Sequence, residues 1–158
     1  MKPILDYNLL DGETYLYSKE KPLYAFGYGL SYTSFEYRSV GASAARMEPD
    51  GNVQVHIKVK NTGKRPSDEV VQMYVQHVGS SVTRPQLELK GFKRLRVEAG
   101  AEKEVTMELK ARDLAYWDAA AHAWRVEKEK VRILAGGSSD RLPVQTTVDV
   151  IDTKEFRP

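Results

Sequence analysis

Val53-Gln54-Val55-His56-Ile57-Lys58-Val59-Lys60 alternates four apolar residues with four polar ones. An extended chain points successive side chains to opposite faces, so this octet predicts a strand with one face buried and one wet. Asp50-Gly51 before it and Asn61-Thr62-Gly63 after it are turn formers that bound it. Working outward, the same reading recurs. Glu69 to Val78 predicts a strand in which Val71, Met73 and Val75 face one way and Val70, Gln72 and Tyr74 the other. Leu87 to Val97 predicts another, with a bulge or bend at Gly91. Val105 to Lys110, Val131 to Ala135 and Val144 to Val150 alternate as well, and Phe35 to Met47 is a weaker strand with a small-residue centre. Only Ala111 to Trp117 suits a helical turn.

About seven short strands separated by turn signals predict an all-β fold, a two-sheet antiparallel sandwich of the fibronectin type III or immunoglobulin-like kind. The chain has no cysteine, so the inter-sheet disulfide of antibody domains is absent and the fibronectin-like version is favoured. The sandwich is expected over residues 35–158. Residues 1–34 read differently. They hold six of the nine tyrosines, together with Phe26, Pro3, Pro22, Gly12, Gly27 and Gly29, and follow no period of two or 3.6. They predict an irregular aromatic arm, and an arm that apolar requires a surface to lie on.

Composition excludes several functions. The 24 Lys+Arg against 22 Asp+Glu leave +2, which is no electrostatic footprint for nucleic acid or an anionic membrane. Without cysteine there is no thiolate chemistry and no cysteine-ligated metal. No apolar run reaches the roughly 18 residues of a membrane span, and the first residues lack the apolar stretch of a signal peptide. A chain of 158 residues is also too short for a barrel enzyme of about 250.

The residues offer little catalytic chemistry. Glycoside hydrolysis needs two carboxylates facing each other across a pocket. The acidic pairs Asp68-Glu69, Glu127 with Glu129, and Asp149 with Asp152 read as solvated turn or strand positions. His56, His77 and His122 are scattered and read as surface imidazoles. Gly136-Gly137-Ser138-Ser139-Asp140 lacks the spacing of a nucleophile elbow and reads as a strand-to-strand turn. Lys90, Lys93, Arg94 and Arg96 read as a solvated basic strand face. Trp117 and Trp124 suit core packing around the helical turn, with a sugar-stacking platform as the alternative. Metal and cofactor sites are not expected.

Specific strings go further than pattern. Pro22-Leu23-Tyr24-Ala25-Phe26-Gly27-Tyr28-Gly29-Leu30-Ser31-Tyr32-Thr33 closely resembles the linker string of glycoside hydrolase family three, with Ala25 in place of the usual proline. Asp68 to Val75, then Arg84-Pro85 with Glu88-Leu89-Lys90-Gly91-Phe92, then Asp113 to Asp118, Trp124 to Glu127 and Gly136 to Ser139 are similar to further motifs of that family, in the same order. The resemblance spans about residues 6–150. It implies a C-terminal fibronectin type III-like accessory domain of a β-glucosidase or β-xylosidase, a bacterial enzyme of carbohydrate metabolism expected in the periplasm or outside the cell. It further implies that the catalytic residues lie outside this chain and that residues 1–34 finish a catalytic domain. Tyr24, Phe26, Tyr28 and Tyr32 are then expected at a domain interface. The expected partners are the catalytic domains, or a second copy through the arm. The alternative function is carbohydrate binding through Trp117 and Trp124.

Overall fold

A computed structural model describes residues 17, 18 and 20–157. The arm readings at Tyr7 and Tyr15 therefore lie outside the described residues. Eleven strands run along the described chain: β1 (Phe35–Ala42), β2 (Arg46–Met47), β3 (Asn52–Asn61), β4 (Ser67–Val78), β5 (Glu88–Val97), β6 (Glu102–Lys110), β7 (Tyr116–Asp118), β8 (Ala123–Val126), β9 (Glu129–Gly136), β10 (Val144–Val150) and β11 (Lys154–Phe156). A 3-10 turn, Ala111–Leu114, joins β6 to β7.

Two sheets make the sandwich. One has the order β1-β3-β6, the other β2-β10-β9-β4-β5. All pairs are antiparallel except β2 on β10, which is parallel. The octet that opened the sequence reading lies in β3 and contributes Val53, Val55, Ile57 and Val59 to the core. Facing them are Val71, Met73 and Val75 of β4 and Val131, Ile133 and Ala135 of β9, all fully buried. Burial of one such side chain contributes about 1.5–3 kcal/mol. The bulge expected at Gly91 is present: Met73 pairs with Gly91 and Tyr74 with Leu89, which leaves Lys90 as the extra residue. A side chain at Gly91 would press on Met107 and Met73.

The fold class stands as read, with one correction and one addition. The strand expected over Phe35 to Met47 is instead broken at residues 43–45, where small side chains give it no hold, into β1 and β2 in different sheets, and a third sheet, β11-β8-β7, joins the sandwich. β2 and the strands of the third sheet are two to four residues long, too short for alternation to show in a sequence. The third sheet sits beside the 3-10 turn and carries both tryptophans.

Candidate functional site

Three features of the molecule hold side chains that the core does not need. The first is the arm. Ala25 to Tyr28 form a tight turn closed by the Tyr28 amide donating to the Ala25 carbonyl at 3.0 Å. Gly27 has φ of 80°, the conformation that a type II turn requires at its third residue. A Cβ there would stand 2.2 Å from the Gln72 side-chain amide, so glycine also permits the close approach. The arm is tied to the sandwich largely through its backbone. Ser139 N–H donates to the Phe26 carbonyl at 2.9 Å, and Thr62 N–H to the Ser34 carbonyl at 2.8 Å. The Thr33 hydroxyl donates to Asn61 Oδ1 at 2.7 Å.

Beneath the arm lie Gln72 and Tyr74, on the outer face of β4 as their alternation predicts, yet both are buried. Tyr74 O–H donates to Gln72 Oε1 at 2.5 Å, and Gln72 Nε2 donates to the Gly137 carbonyl at 2.6 Å. Burial, reinforced by the Asp140 charge, pushes the Tyr74 phenol up to about 12. Nearby, Tyr37 O–H donates to Glu69 Oε1 at 2.8 Å. Burial raises Glu69 above the usual carboxylate range, so the solvated reading of that residue is corrected. A groove of about 710 Å³ runs between the arm, the start of β4 and the 137–143 loop.

The arm's large apolar side chains are exposed. Leu23, Leu30 and Tyr32 are at least 90% exposed, and Tyr24, Phe26 and Tyr28 are more than half exposed. The Tyr24 and Tyr28 rings meet at a tilt of 43° with their centroids 5.4 Å apart. The four expected interface residues are thus all exposed, and two of them, Tyr24 and Tyr28, are in contact.

The second feature is the third sheet. Trp117 pairs with Trp124, and Trp124 with Phe156, directly across the strands. Directly opposed residues share a face, so the three aromatic side chains form one row. The tryptophans are not core residues: they are 44% and 47% exposed, with rings 5.6 Å apart and nearly perpendicular. Core packing around the helical turn is supplied by Ala111 and Leu114 instead. A groove of about 420 Å³ beside the row is lined by Arg112, Asp113, Ala115, Trp124, Phe156 and Arg157.

The third feature is a buried ion cluster that overturns the surface reading of His77, Glu127 and Glu129. The His77 side chain is 1% exposed. Its Nδ1 lies 2.7 Å from Glu129 Oε1, and its Nε2 lies 3.1 Å from Glu88 Oε1. A neutral imidazole has a single donor, so two carboxylate partners require the imidazolium. Burial alone would lower the His77 pKa, but its bonds to Glu129 and Glu88 outweigh burial and raise it. Glu88, likewise opposed by burial, is held down to about 2 by His77 and Lys90. Lys90, the bulged residue, donates to Glu88 at 2.5 Å and to the Asp113 carbonyl at 2.6 Å, so it does not belong to the solvated basic face. Arg84 donates to the Leu114 carbonyl, lies 3.8 Å from Glu129 and stacks on Tyr116. Glu127 accepts from Ser80 and twice from Ser81, which together outweigh burial and keep its pKa low. The cluster stitches the 79–87 loop to the 3-10 turn and the start of β9. Each of its carboxylates has a cationic or hydroxyl partner, although Glu129 Oε2 and Arg84 Nε are buried without a hydrogen-bond partner among the described residues, and the network reads as structural. Sequence reasoning missed it because its members are spread from His77 to Glu129. The one local signal was the pairing of Arg84-Pro85 with Glu88 and Lys90.

Among the described residues, no group of three or more His, Asp or Glu side chains could hold a metal ion. No described helix is long and apolar enough to cross a membrane. His56 is half-exposed, with Nδ1 3.1 Å from Thr106 Oγ1 and 3.4 Å from Glu104, and His122 is exposed.

A fibronectin type III-like domain model matches residues 69–139. The chain is 41% identical over 137 residues to thermostable beta-glucosidase B of Acetivibrio thermocellus, covering 87% of this chain and 18% of that protein. It is 39% identical over 121 residues to the periplasmic beta-glucosidase of Salmonella typhimurium, covering 77% of this chain and 16% of that protein. The structure of beta-glucosidase 3B from Thermotoga neapolitana in complex with glucose superposes with a TM-score of 0.79 at 34% identity, over 87% of this chain and 19% of that one. The chain thus spans about a fifth of the length of the relatives it matches.

Proposed function

We propose that this chain, which belongs to the fibronectin type III-like domains found in family-three β-glucosidases, is a non-catalytic accessory domain that holds and orients the catalytic part of such an enzyme. The observation that carries the reading is the arm: its backbone is fastened to the sandwich while six large apolar side chains face outward. An arm anchored in that way presents a preformed surface, so little conformational entropy is lost when a partner covers it. Aromatic side chains of this kind dominate protein–protein contacts. The missing four-fifths of the relatives' length supplies an occupant of the right kind, the catalytic domains.

Two measurements test this. The purified chain should give no turnover of an aryl β-glucoside or β-xyloside. Tyr28→Ser with Tyr32→Ser should leave the melting temperature of the purified chain unchanged and lower that of the larger enzyme containing it. Turnover by the chain alone, or an unchanged larger enzyme, would overturn the proposal. The periplasmic beta-glucosidase among the relatives supports a periplasmic or extracellular location for the parent enzyme.

A second reading has its own observation. Trp117 and Trp124 are half exposed on a surface where the core does not require them, which supports carbohydrate binding. Saturable binding of cello- or xylo-oligosaccharides that is lost in Trp124→Ala would favour it.

A further inference from the structure

We infer that the groove beside the third sheet is a binding site for an acidic sugar, a pyranose carrying one carboxylate. This rests on the carbohydrate-binding reading and gives it a substrate class. The groove combines three kinds of group. Trp124 supplies an exposed indole, to which the C–H face of a pyranose is complementary. Arg112 and Arg157 supply guanidinium forks, which match a carboxylate in a bidentate geometry. Asp113 supplies a carboxylate that can accept hydrogen bonds from ring hydroxyls.

Neither arginine forms an ion pair among the described residues, whereas Arg94, Arg96 and Arg125 are each satisfied by carboxylates. Arg112 is oriented instead by the Phe156 ring, with its guanidinium carbon 4.5 Å from the ring centroid. That stack occupies Phe156 and leaves Trp124 as the free aromatic surface. The floor is rigid. Ala111 and Leu114 of the 3-10 turn are buried, and the turn's carbonyls at Asp113 and Leu114 accept from Lys90 and Arg84. The groove volume of about 420 Å³ falls in the range of small-ligand sites.

Asp113 decides among the anions. Its charge beside the two arginines disfavours a densely charged chain such as a nucleic acid or a sulfated polymer. It suits a ligand with one carboxylate and several hydroxyl donors per unit. The overall charge of +2 points the same way, because it supplies no long-range attraction for a polyanion.

The test titrates the full 158-residue chain with three probes: a glucuronic acid-containing oligosaccharide, a neutral cello-oligosaccharide of equal length, and a short oligothymidylate. Amide chemical shifts are followed by NMR. The acidic sugar should bind about tenfold tighter than the neutral one, as expected for a charge-assisted pair, and raising the salt should shrink the difference. Arg112→Gln, and separately Arg157→Gln, should abolish the preference while neutral binding persists. Trp124→Ala should abolish both. Equal affinity for the two sugars would overturn the acidic assignment and leave carbohydrate binding standing. No binding of either sugar would overturn both, and tighter binding of the oligothymidylate would overturn the ligand class.

Discussion

Replacing His77 by leucine should destabilise the domain by an amount that depends on pH. The side chain is 1% exposed and Glu129 beside it is fully buried. Removing one member of a buried ion pair costs about 3–5 kcal/mol, because the other charge stays behind without compensation. In a domain of this size about 1 kcal/mol moves the melting temperature by roughly 2–4 °C, so a fall on the order of 10 °C is expected at pH 6. The sign of the pH dependence follows from the raised His77 pKa. Its stabilising contribution is complete below the unfolded value of about 6.5 and is lost as pH rises through the folded value. Glu88, depressed to about 2, acts on the other side. Its contribution is complete above about 4.3 and is lost as pH falls toward the folded value. The natural chain should therefore be most stable between these limits and weaken on the alkaline side. His77→Leu should flatten that alkaline limb. Urea unfolding followed by tryptophan fluorescence at pH 6 and pH 9 measures all of this. His56→Leu at the half-exposed histidine is the control, and His77→Leu with Glu129→Gln should recover part of the loss. If His77→Leu cost under about 1 kcal/mol at pH 6, or kept the natural chain's pH slope, the imidazolium assignment would be wrong.

Two further outcomes follow from single residues. Asn61 uses its whole side chain: Nδ2 donates to the carbonyls of Arg65 and Val97, and Oδ1 accepts from Thr33 and from the Gly63 amide. Asn61→Ala should cost about 2–4 kcal/mol, since the buried groups left unpaired carry the desolvation penalty, and the urea midpoint should fall with an unchanged slope. Gly27→Ala introduces a methyl group into the Gln72 amide at a positive φ. The Ser139 amide, which donates to Phe26, should then exchange at least about tenfold faster, while the amides of β3 and β9 keep their protection.

The fold was legible where strands are long and wet on one face. Val53 to Lys60 announces its own burial pattern, and the glycine in Leu87 to Val97 announced the bulge. The third sheet was not legible, because strands of three or four residues carry too few alternations. The arm was legible as aromatic and irregular, but the direction of its side chains depends on backbone bonds to Ser139 and Thr62 that no local pattern encodes. Trp117 and Trp124 read as core residues from the sequence, yet both lie half exposed on the third sheet. An aromatic residue on a short strand beside a 3-10 turn gives the same local signal whether it packs inward or lies on a ledge. The ion cluster was illegible for a different reason. His77, Glu88 and Glu129 sit on three strands, and only the register of β4 between β5 and β9 brings them together.

The outermost strands carry a consequence for behaviour at high concentration. β2 lies along β10 in parallel, with Asp149 and Ile151 amides donating to Ala45 and Met47, so that margin of the larger sheet is already occupied. The opposite margin, β5, is broken by the Lys90 bulge and carries exposed Lys93, Arg94 and Arg96. In the smaller sheet β1 is irregular between Tyr37 and Ser39, and the other outer strand, β6, carries exposed Glu102, Lys103, Glu104, Glu108 and Lys110. Margins that are bent, charged or already filled resist strand addition and fibril growth. The domain can therefore display an apolar arm without polymerising through its backbone, and any clustering of copies would be a reversible affair of side chains.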